Sequence, residues 1–303
     1  MAEYLNYLTP LHDFFAAAAT FAESNLVTAL LGSLAGAFGG AWAAQRIANK
    51  NKLRDDLLKE IRNTNAAAMM LYGIANSHLG MKSEHIQSMR DKYEEEQTKL
   101  DLFLKAKKAG TVPPRQTFEF TADLQTLKPL LSPTEPIQRL MFDQISITGA
   151  ALSVLPILLA TIQSLNETLT DRNHIVEDWK KDRPPNLIQA YFGMEHDSVV
   201  DQRYKMLVEA IYRQTDDVIA FSMMIGDALH EHAKDQRQKL RSHFRIDGPT
   251  INKVDFSRFD KSIPPADEYT NFAKMLEITR PTPKKSRWQL IREKIKVPKW
   301  GKI

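Results

Sequence analysis

The sequence predicts an all-α protein: a single N-terminal transmembrane helix continues into a cytoplasmic helical bundle, and an irregular basic C-terminal tail follows. Apolar residues recur at helical spacing through most of the 303 residues, and the best candidate strand is the short segment 117–121. Residues 24–45 are 22 uncharged residues, a length that suits one helical crossing of a hydrocarbon core about 30 Å thick. The chain has no cysteine, which excludes disulfides and cysteine-ligated metal sites.

Residues 1–23 precede the crossing and are predicted to be a short extracytoplasmic amphipathic segment. Thr9 and Pro10 have the form of a helix start, and Leu11, Phe14 and Phe21 follow on one helical side. We expect this apolar side to lie on the outer membrane surface. The alternative is a plain helical extension of the crossing.

Within the crossing, small residues recur at every fourth position. This glycine stripe is formed by Thr28, Gly32, Gly36, Gly40 and Ala44. Such a stripe lets a second helix approach closely, so we expect a homo-oligomer that assembles in the lipid bilayer. The alternatives are packing of the stripe against residues 144–166 or against lipid alone.

The charges around the crossing predict its orientation. Residues 1–45 contain three acidic residues and no Lys or Arg, whereas Arg46, Lys50, Lys52 and Arg54 follow directly. The positive-inside rule then places the N-terminus outside and the C-terminal bulk in the cytoplasm. We expect the membrane to be a bacterial inner (plasma) membrane. A buried core helix is the competing interpretation of the apolar run.

Residues 46–109 are expected to continue the same helix as a long stalk. No proline interrupts this segment, and Gly110 marks its end. Within the stalk, Arg62, Asn63 and Asn65 form a polar layer beside small apolar residues. We expect this layer to fix the register between packed helices, as a buried asparagine can; a solvated face is the alternative.

Residues 110–245 are predicted to form a cytoplasmic helical domain. Ser132 and Glu135 have the spacing of a capping box, which would open one long helix with a kink at Pro156. The uncharged residues 144–166 inside this helix are interpreted as the central core helix of the domain. A second membrane crossing is the alternative, but it would carry the basic tail outside, against the charge rule.

A last long helix is predicted from Ser198 to His243, and it carries a group of acidic residues and histidines. The group comprises Asp216, Asp227, His230, Glu231 and His232. Carboxylates and histidines one turn apart can bind a metal ion, and on that interpretation the protein is a metal-dependent hydrolase. The same residues are ordinary surface composition near a helix end, so the sequence predicts neither a metal site nor a cofactor.

Arg237 and His243 on the same helix have the spacing of an Arg-x5-His motif. This motif resembles the one in HEPN-type ribonucleases, in which a helical dimer brings two such motifs together. Gln238 stands where that family usually has a shorter polar residue. The resemblance implies a rival function, a membrane-anchored ribonuclease with Arg237 and His243 as its catalytic residues.

Residues 246–303 are predicted to be an irregular basic tail with cations interleaved among aromatic residues. The cations and tryptophans expected at the membrane surface are Lys284, Lys285, Arg287, Trp288, Arg292, Lys294, Lys296 and Trp300. This pattern is typical of segments that bind an anionic lipid surface. Nucleic acid is a competing partner, because phosphates attract the same cations, and a solvated tail is the third interpretation.

Taken together, the patterns favour a non-enzymatic membrane protein that self-associates through its crossing and senses or recruits a cytoplasmic protein partner. A sharper version is a membrane-perturbing effector of a toxin or anti-phage defence system. The sequence lacks a glycine-rich phosphate loop and a zinc-protease motif, so the enzyme alternative depends on the two constellations described above.

Overall fold

The computed structural model describes residues 25–113, 115–265 and 267–269, and it confirms the all-α class. Within these residues the chain forms the α-helices α1 (Asn25–Met81), α2 (Gln87–Lys108), α3 (Thr134–Asp143), α4 (Ala150–Lys181), α5 (Leu187–Phe192) and α6 (Arg203–Phe244). Within the described residues the strands are limited to β1 (Glu195–His196) and β2 (Val199–Val200), which pair as an antiparallel hairpin. A 3₁₀ turn, Ser257–Phe259, follows α6. The predicted outer segment and the basic cluster of the tail lie outside the described residues.

The core forms where α6 packs along α1 on one side and along α4 on another. Leu71 and Leu79 of α1, Leu158 of α4, and Ile211 and Ile225 of α6 are fully buried there. Removing side chains of this size from water stabilises the fold by about 1.5–3 kcal/mol each. The bundle is therefore a three-helix core, with α3 packed on α1 and α5 packed on α6.

The helix that begins at Asn25 runs far beyond the predicted crossing without a break. A single π-helical turn, Lys82–Ile86, joins α1 to α2, which ends at Lys108 close to the predicted end. Gly110 has a φ of +73°, and the N–H groups of Gly110 and Thr111 donate to the carbonyls of Lys107 and Ala106 at 3.2 and 3.1 Å. This is the Schellman arrangement that commonly ends a helix.

The predicted single helix from Ser132 is wrong, because the chain forms two helices, α3 and α4, with a loop between them. Gly149 has a φ of +80° at the start of α4, a conformation incompatible with a continuous helix. The backbone N–H of Ser146 donates to the carboxylate of Glu60 instead of a helical carbonyl, at 2.7 Å. The predicted capping box is also absent, since no side chain caps α3.

Residues 117–121, which the sequence offered only as a weak strand candidate, form no strand in the described part of the chain. One further local prediction is wrong. Ser198 lies in the turn between β1 and β2 with a φ of +64°, and the last long helix begins at Arg203 instead. Asp201 accepts the backbone N–H of Arg203 at 3.1 Å, which helps to start this helix.

The second uncharged stretch contributes its apolar side to the core, as the sequence predicts. Val154, Leu155 and Leu158 are fully buried. By length and composition, Ala151–Lys181 is the one helix among the described residues that is identified as able to cross a membrane, and a core helix passes the same test. The predicted crossing at residues 24–45 begins before the described residues and is not identified by this criterion. Its packing against α6 gives it a place inside the bundle.

A fully buried arginine holds the extended segment 115–133 against α4. Arg172 donates to the carbonyls of Gln125 and Asp123, at 2.7 and 3.3 Å. Beside it, the amide of Asn173 donates to the carbonyl of Leu127 and accepts its N–H, at 2.7 and 3.0 Å. These bonds satisfy backbone groups that have no partner in regular secondary structure, and so they fix an irregular segment.

Candidate functional site

The N-terminal third of α1 exposes an apolar surface. Leu34, Phe38 and Trp42 are 45%, 74% and 67% exposed, respectively. A Cβ atom added to Gly32, Gly36 or Gly40 would have nothing within 4 Å. The described part of the chain therefore leaves this apolar surface and the glycine stripe uncovered; the side chain of Thr28 is outside the description, and Ala44 is exposed.

Three cations of α1, Arg46, Lys50 and Lys52, follow this surface, and we call them the basic collar. The guanidinium of Arg46 lies 5.5 Å from the ring centre of Trp42, and the ammonium of Lys50 lies 5.9 Å from that of Phe244. Among the described side chains of α1, the first that is fully buried is Ile61. Along α1, an exposed apolar stretch is thus followed by the basic collar and then by residues that are buried in the bundle.

The predicted polar layer connects α1 to other segments of the same chain. Asn63 donates to the side chain of Gln144 at 3.1 Å, and Asn65 accepts the backbone N–H of Asn252 at 3.0 Å. Arg62 is exposed. The two asparagines therefore fix the loop before α4 and the segment after α6, whereas Arg62 belongs to a solvated face.

Sequence reasoning missed Glu60, which joins three segments at this end of the bundle. Its Oε1 atom accepts hydrogen bonds from the Ser146 N–H, the Ser146 hydroxyl and His232 Nε2 at 2.7, 2.8 and 2.8 Å. Burial alone would raise the pKa of Glu60, but the hydrogen bonds from His232 and Ser146 lower it below its ordinary value. The Ser146 hydroxyl donates to a carboxylate rather than to the imidazole, so the group is not an activated nucleophile.

The structure separates the acidic residues and histidines of α6 that the sequence grouped. Asp227 accepts the hydroxyl of Tyr72 at 2.7 Å and pairs with Lys253 at 3.1 Å. His230 Nδ1 lies 3.2 Å from the carbonyl of Asn252, and His232 bonds to Glu60 on another side. Among the described residues, no group of three or more His, Cys, Asp or Glu could hold a metal ion.

Arg237 and His243 are likewise not brought together within the chain. Six residues place them about 120° apart around the axis of α6. Arg237 is half-buried, whereas His243 is exposed, and its Nδ1 lies 2.9 Å from the carbonyl of Lys239. The tail residues predicted at the membrane surface, from Lys284 to Trp300, lie outside the described residues.

A site with a buried ion pair lies where α1 passes into α2. Lys82, in the π-helical turn, forms a buried ion pair with Asp216 of α6 at 2.5 Å. The ring of Tyr212 lies between two cations, 4.7 Å from the ammonium of Lys82 and 4.0 Å from the guanidinium of Arg90. π-Helical turns frequently occur at functional sites. Lys82 is a lone cation on the apolar stripe of Leu79, which is the sequence signal that could have found it.

Above this ion pair opens a cavity of about 780 Å³, which lies between α2, α6 and the residues Pro265, Glu268 and Tyr269. Five carboxylates line it, from Glu94, Glu209, Asp216, Asp217 and Glu268. Burial raises the pKa of Asp216, although the ammonium of Lys82 acts in the opposite direction. Burial also raises the pKa of Asp217, against the effects of a hydrogen bond from Tyr269 and the charge of Arg213.

Tyr93 lines the same cavity and is 3% exposed. Its hydroxyl has no hydrogen-bond partner in the described part of the protein. Burial raises the pKa of Tyr93, and the charge of Glu209 raises it further. A buried hydroxyl without a partner costs about 1–3 kcal/mol, so this one calls for an explanation.

Comparison with known proteins yields no relative for this chain. No protein-family model matches it, and neither the curated proteins nor the solved structures contain a significant match. The function must therefore be argued from the geometry of the chain alone.

Proposed function

We propose that this protein is a membrane-anchored helical protein that crosses the bilayer once, through residues 24–45, and places its bundle in the cytoplasm. The uncovered apolar surface of α1 is the observation that carries the proposal. Leu30, Leu34 and Phe38 are 55%, 45% and 74% exposed. Moving side chains of this kind from water into hydrocarbon gains about 1.5–3 kcal/mol each. An exposed apolar surface of this length indicates a lipid or protein partner.

The basic collar supports the orientation. Arg46, Lys50 and Lys52 come within two turns of the apolar surface, on the side of α1 that leads into the bundle. Cations at one end only are typical of the cytoplasmic end of a crossing. The basic tail would then face the same leaflet, where each cation near an anionic surface contributes about 1 kcal/mol before screening by salt.

Self-association through the glycine stripe is the second part of the proposal. Gly36 and Gly40 have open space where a side chain would be, so the backbone of a second α1 has room to approach closely. Because α1 runs without a break from Asn25 into the core, a change in the bundle would be transmitted to the paired crossings through a rigid rod. We propose that the bundle recruits a cytoplasmic partner that controls this pairing. In the sharper form, the paired crossings perturb the bilayer, as a toxin or anti-phage effector would.

Cross-linking in membranes tests the pairing. The variant Gly36→Leu/Gly40→Leu should lose its cross-linked oligomers, because two leucines on the stripe keep the helices apart. Ala35→Leu/Ala41→Leu is the matched control, since it adds two leucines to the same crossing on the side of the helix that carries Leu34 and Phe38. Equal cross-linking of both variants and the unmodified protein would disprove the pairing through this stripe. Release of a trapped dye from vesicles, measured on the same proteins, tests the sharper form.

A further inference from the structure

Residues 121–128, which we call the edge segment, are extended and have backbone hydrogen bonds towards α4. The carbonyls of Asp123, Gln125 and Leu127 accept hydrogen bonds from side chains of that helix, at 3.3, 2.7 and 2.7 Å. The N–H of Leu127 also donates to a side chain of α4, at 3.0 Å. Every second residue is thus bonded towards α4, which is the spacing of a β-strand that is paired along one edge.

The opposite edge of this segment is unpaired within the described residues. Alternate residues of an extended chain direct their N–H and C=O groups to opposite sides, so Leu124, Thr126 and Lys128 direct theirs away from α4. None of these backbone groups forms a hydrogen bond with the described part of the chain. A row of unpaired groups of this kind is a template for pairing with another extended chain.

A groove, which we call the edge groove, runs along this unpaired edge. It consists of two cavities of about 740 and 340 Å³, and its other wall is formed by α1, the π-helical turn and α2. Thr126 and Lys128 line the larger cavity, and Leu124 lines the smaller one. No described residue of α4 lines either cavity, so both lie on the unpaired side. The groove therefore offers an extended chain both space and unpaired backbone groups.

The charges at the larger cavity define the chemistry of the chain that fits. Two cations, Lys128 and Arg258, line this cavity, and Glu84 is the one carboxylate among its described lining residues. Lys128 has no ion-pair partner in the part of the protein that the structure describes, and Arg258 donates to the neutral side chain of Asn76 at 2.8 Å. Positive charge is therefore in excess at this end of the groove. The smaller cavity has no such excess of cations.

The basic tail of the chain itself does not match the larger cavity. Residues 284–303 contain eight Lys or Arg and the single acidic residue Glu293. Like charges would therefore meet at Lys128 and Arg258, which is unfavourable. A segment of another protein with an acidic side chain is the complementary occupant.

We propose that the edge groove binds an extended peptide segment of a protein partner, which pairs with the edge segment and places an acidic side chain beside Lys128 and Arg258. The backbone of the peptide exchanges hydrogen bonds with the unpaired edge, with Thr126 at its centre, as in other complexes formed by addition of a strand. This inference rests on the proposed function, because it names the surface through which the bundle recruits its partner. Peptide binding is measured in detergent, so it can fail while the pairing of α1 in membranes succeeds, and the reverse.

Selection from a phage library of random linear peptides, on the full-length protein in detergent, tests the site. We expect enrichment of peptides that contain Asp or Glu. An enriched peptide should bind Thr126→Pro about tenfold or more weakly, because proline removes the N–H at the centre of the edge and its ring obstructs the peptide. The fold should be retained, since the N–H of Thr126 has no partner to lose within the described residues.

Glu119→Pro is the matched control, because it makes the same change at an exposed residue of the same extended stretch, outside the groove. The backbone N–H of Glu119 also has no partner among the described residues. The melting temperatures of both variants check that the fold is retained. Absence of enriched peptides, or equal affinity of the two variants for an enriched peptide, would overturn the proposal.

Two changes to the complex separate backbone pairing from attraction by charge alone. N-methylation of the enriched peptide, one residue at a time, should weaken binding at alternate residues only, because a paired strand directs every second N–H towards its neighbour. Lys128→Glu should weaken binding of the acidic peptide, and replacing the acidic residue of the peptide by lysine should restore it. N-methylation effects without a period of two, or an unchanged affinity in Lys128→Glu, would contradict the proposal.

Discussion

The close approach of α1 and α6 makes Gly226→Ala the sharpest test of the packing. A Cβ atom at Gly226 would lie 2.7 Å from Cε1 of Tyr72 and 3.0 Å from its Cδ1. Tyr72 is 1% exposed, and its hydroxyl donates to Asp227 at 2.7 Å, so the ring cannot move aside freely. Phe256 closes the other side, with ring centres 5.9 Å apart.

The magnitude follows from two opposing effects. Overpacking of a core position costs about 1–3 kcal/mol. Replacing a mid-helix glycine by alanine stabilises the folded state by about 0.5–1 kcal/mol, because the unfolded chain loses backbone entropy. We therefore expect Gly226→Ala to lower the free energy of unfolding by about 1–2 kcal/mol, a fall in melting temperature of roughly 2–8 °C for a chain of this size.

Gly73→Ala on α1 is the matched control. It makes the same chemical change inside a helix, but its Cβ would meet nothing within 4 Å. It should raise the free energy of unfolding by about 0.5–1 kcal/mol. Thermal unfolding of both variants in detergent, followed by circular dichroism, measures the difference. A Gly226→Ala protein as stable as Gly73→Ala would refute the packing of Tyr72 against α6.

Two further predictions concern buried charge. Lys82→Met leaves the carboxylate of Asp216 buried without its cation, so we expect a loss of about 3–5 kcal/mol in urea unfolding, largely restored by Lys82→Met/Asp216→Leu. If the double variant were as unstable as the single one, the ion pair would not be the cause. Glu60 has a lowered pKa in the folded protein, so its contribution to stability is present above its unfolded value of 4.5 and is lost as the pH falls through the lower folded value. Wild-type protein should therefore be more stable than Glu60→Gln at neutral pH and lose that advantage in acid; a difference that grew in acid would contradict the assignment.

The sequence predicted those elements that a local pattern determines. The helical run from Asn25 to Lys108, with its single π-helical turn, follows from apolar periodicity without proline, and Gly110 ends it through its left-handed backbone. The core position of the second uncharged stretch also follows from its apolar side. In each case the relevant residues lie within a few turns of one another.

The predictions failed where distant residues decide the structure. The break before α4 depends on Glu60, which binds Ser146 from 86 positions away. The ion pair joins Lys82 and Asp216, which are 134 positions apart. The residues that neighbour Asp216 in the sequence therefore do not distinguish this buried carboxylate from the solvated ones of α6. The cavity above this ion pair likewise forms between three segments that are distant in the sequence, and no local motif predicts their contact.

The central claim is that α1 crosses a membrane once, with the bundle inside. Since the chain contains no cysteine, single cysteines can be introduced and labelled in intact cells with a membrane-impermeant maleimide. We expect Thr9→Cys to be labelled from outside, Phe38→Cys to be protected in the bilayer, and Glu177→Cys in the bundle to be labelled only after the membrane is disrupted. Labelling of Phe38→Cys in intact membranes, or of Glu177→Cys from outside, would contradict the account.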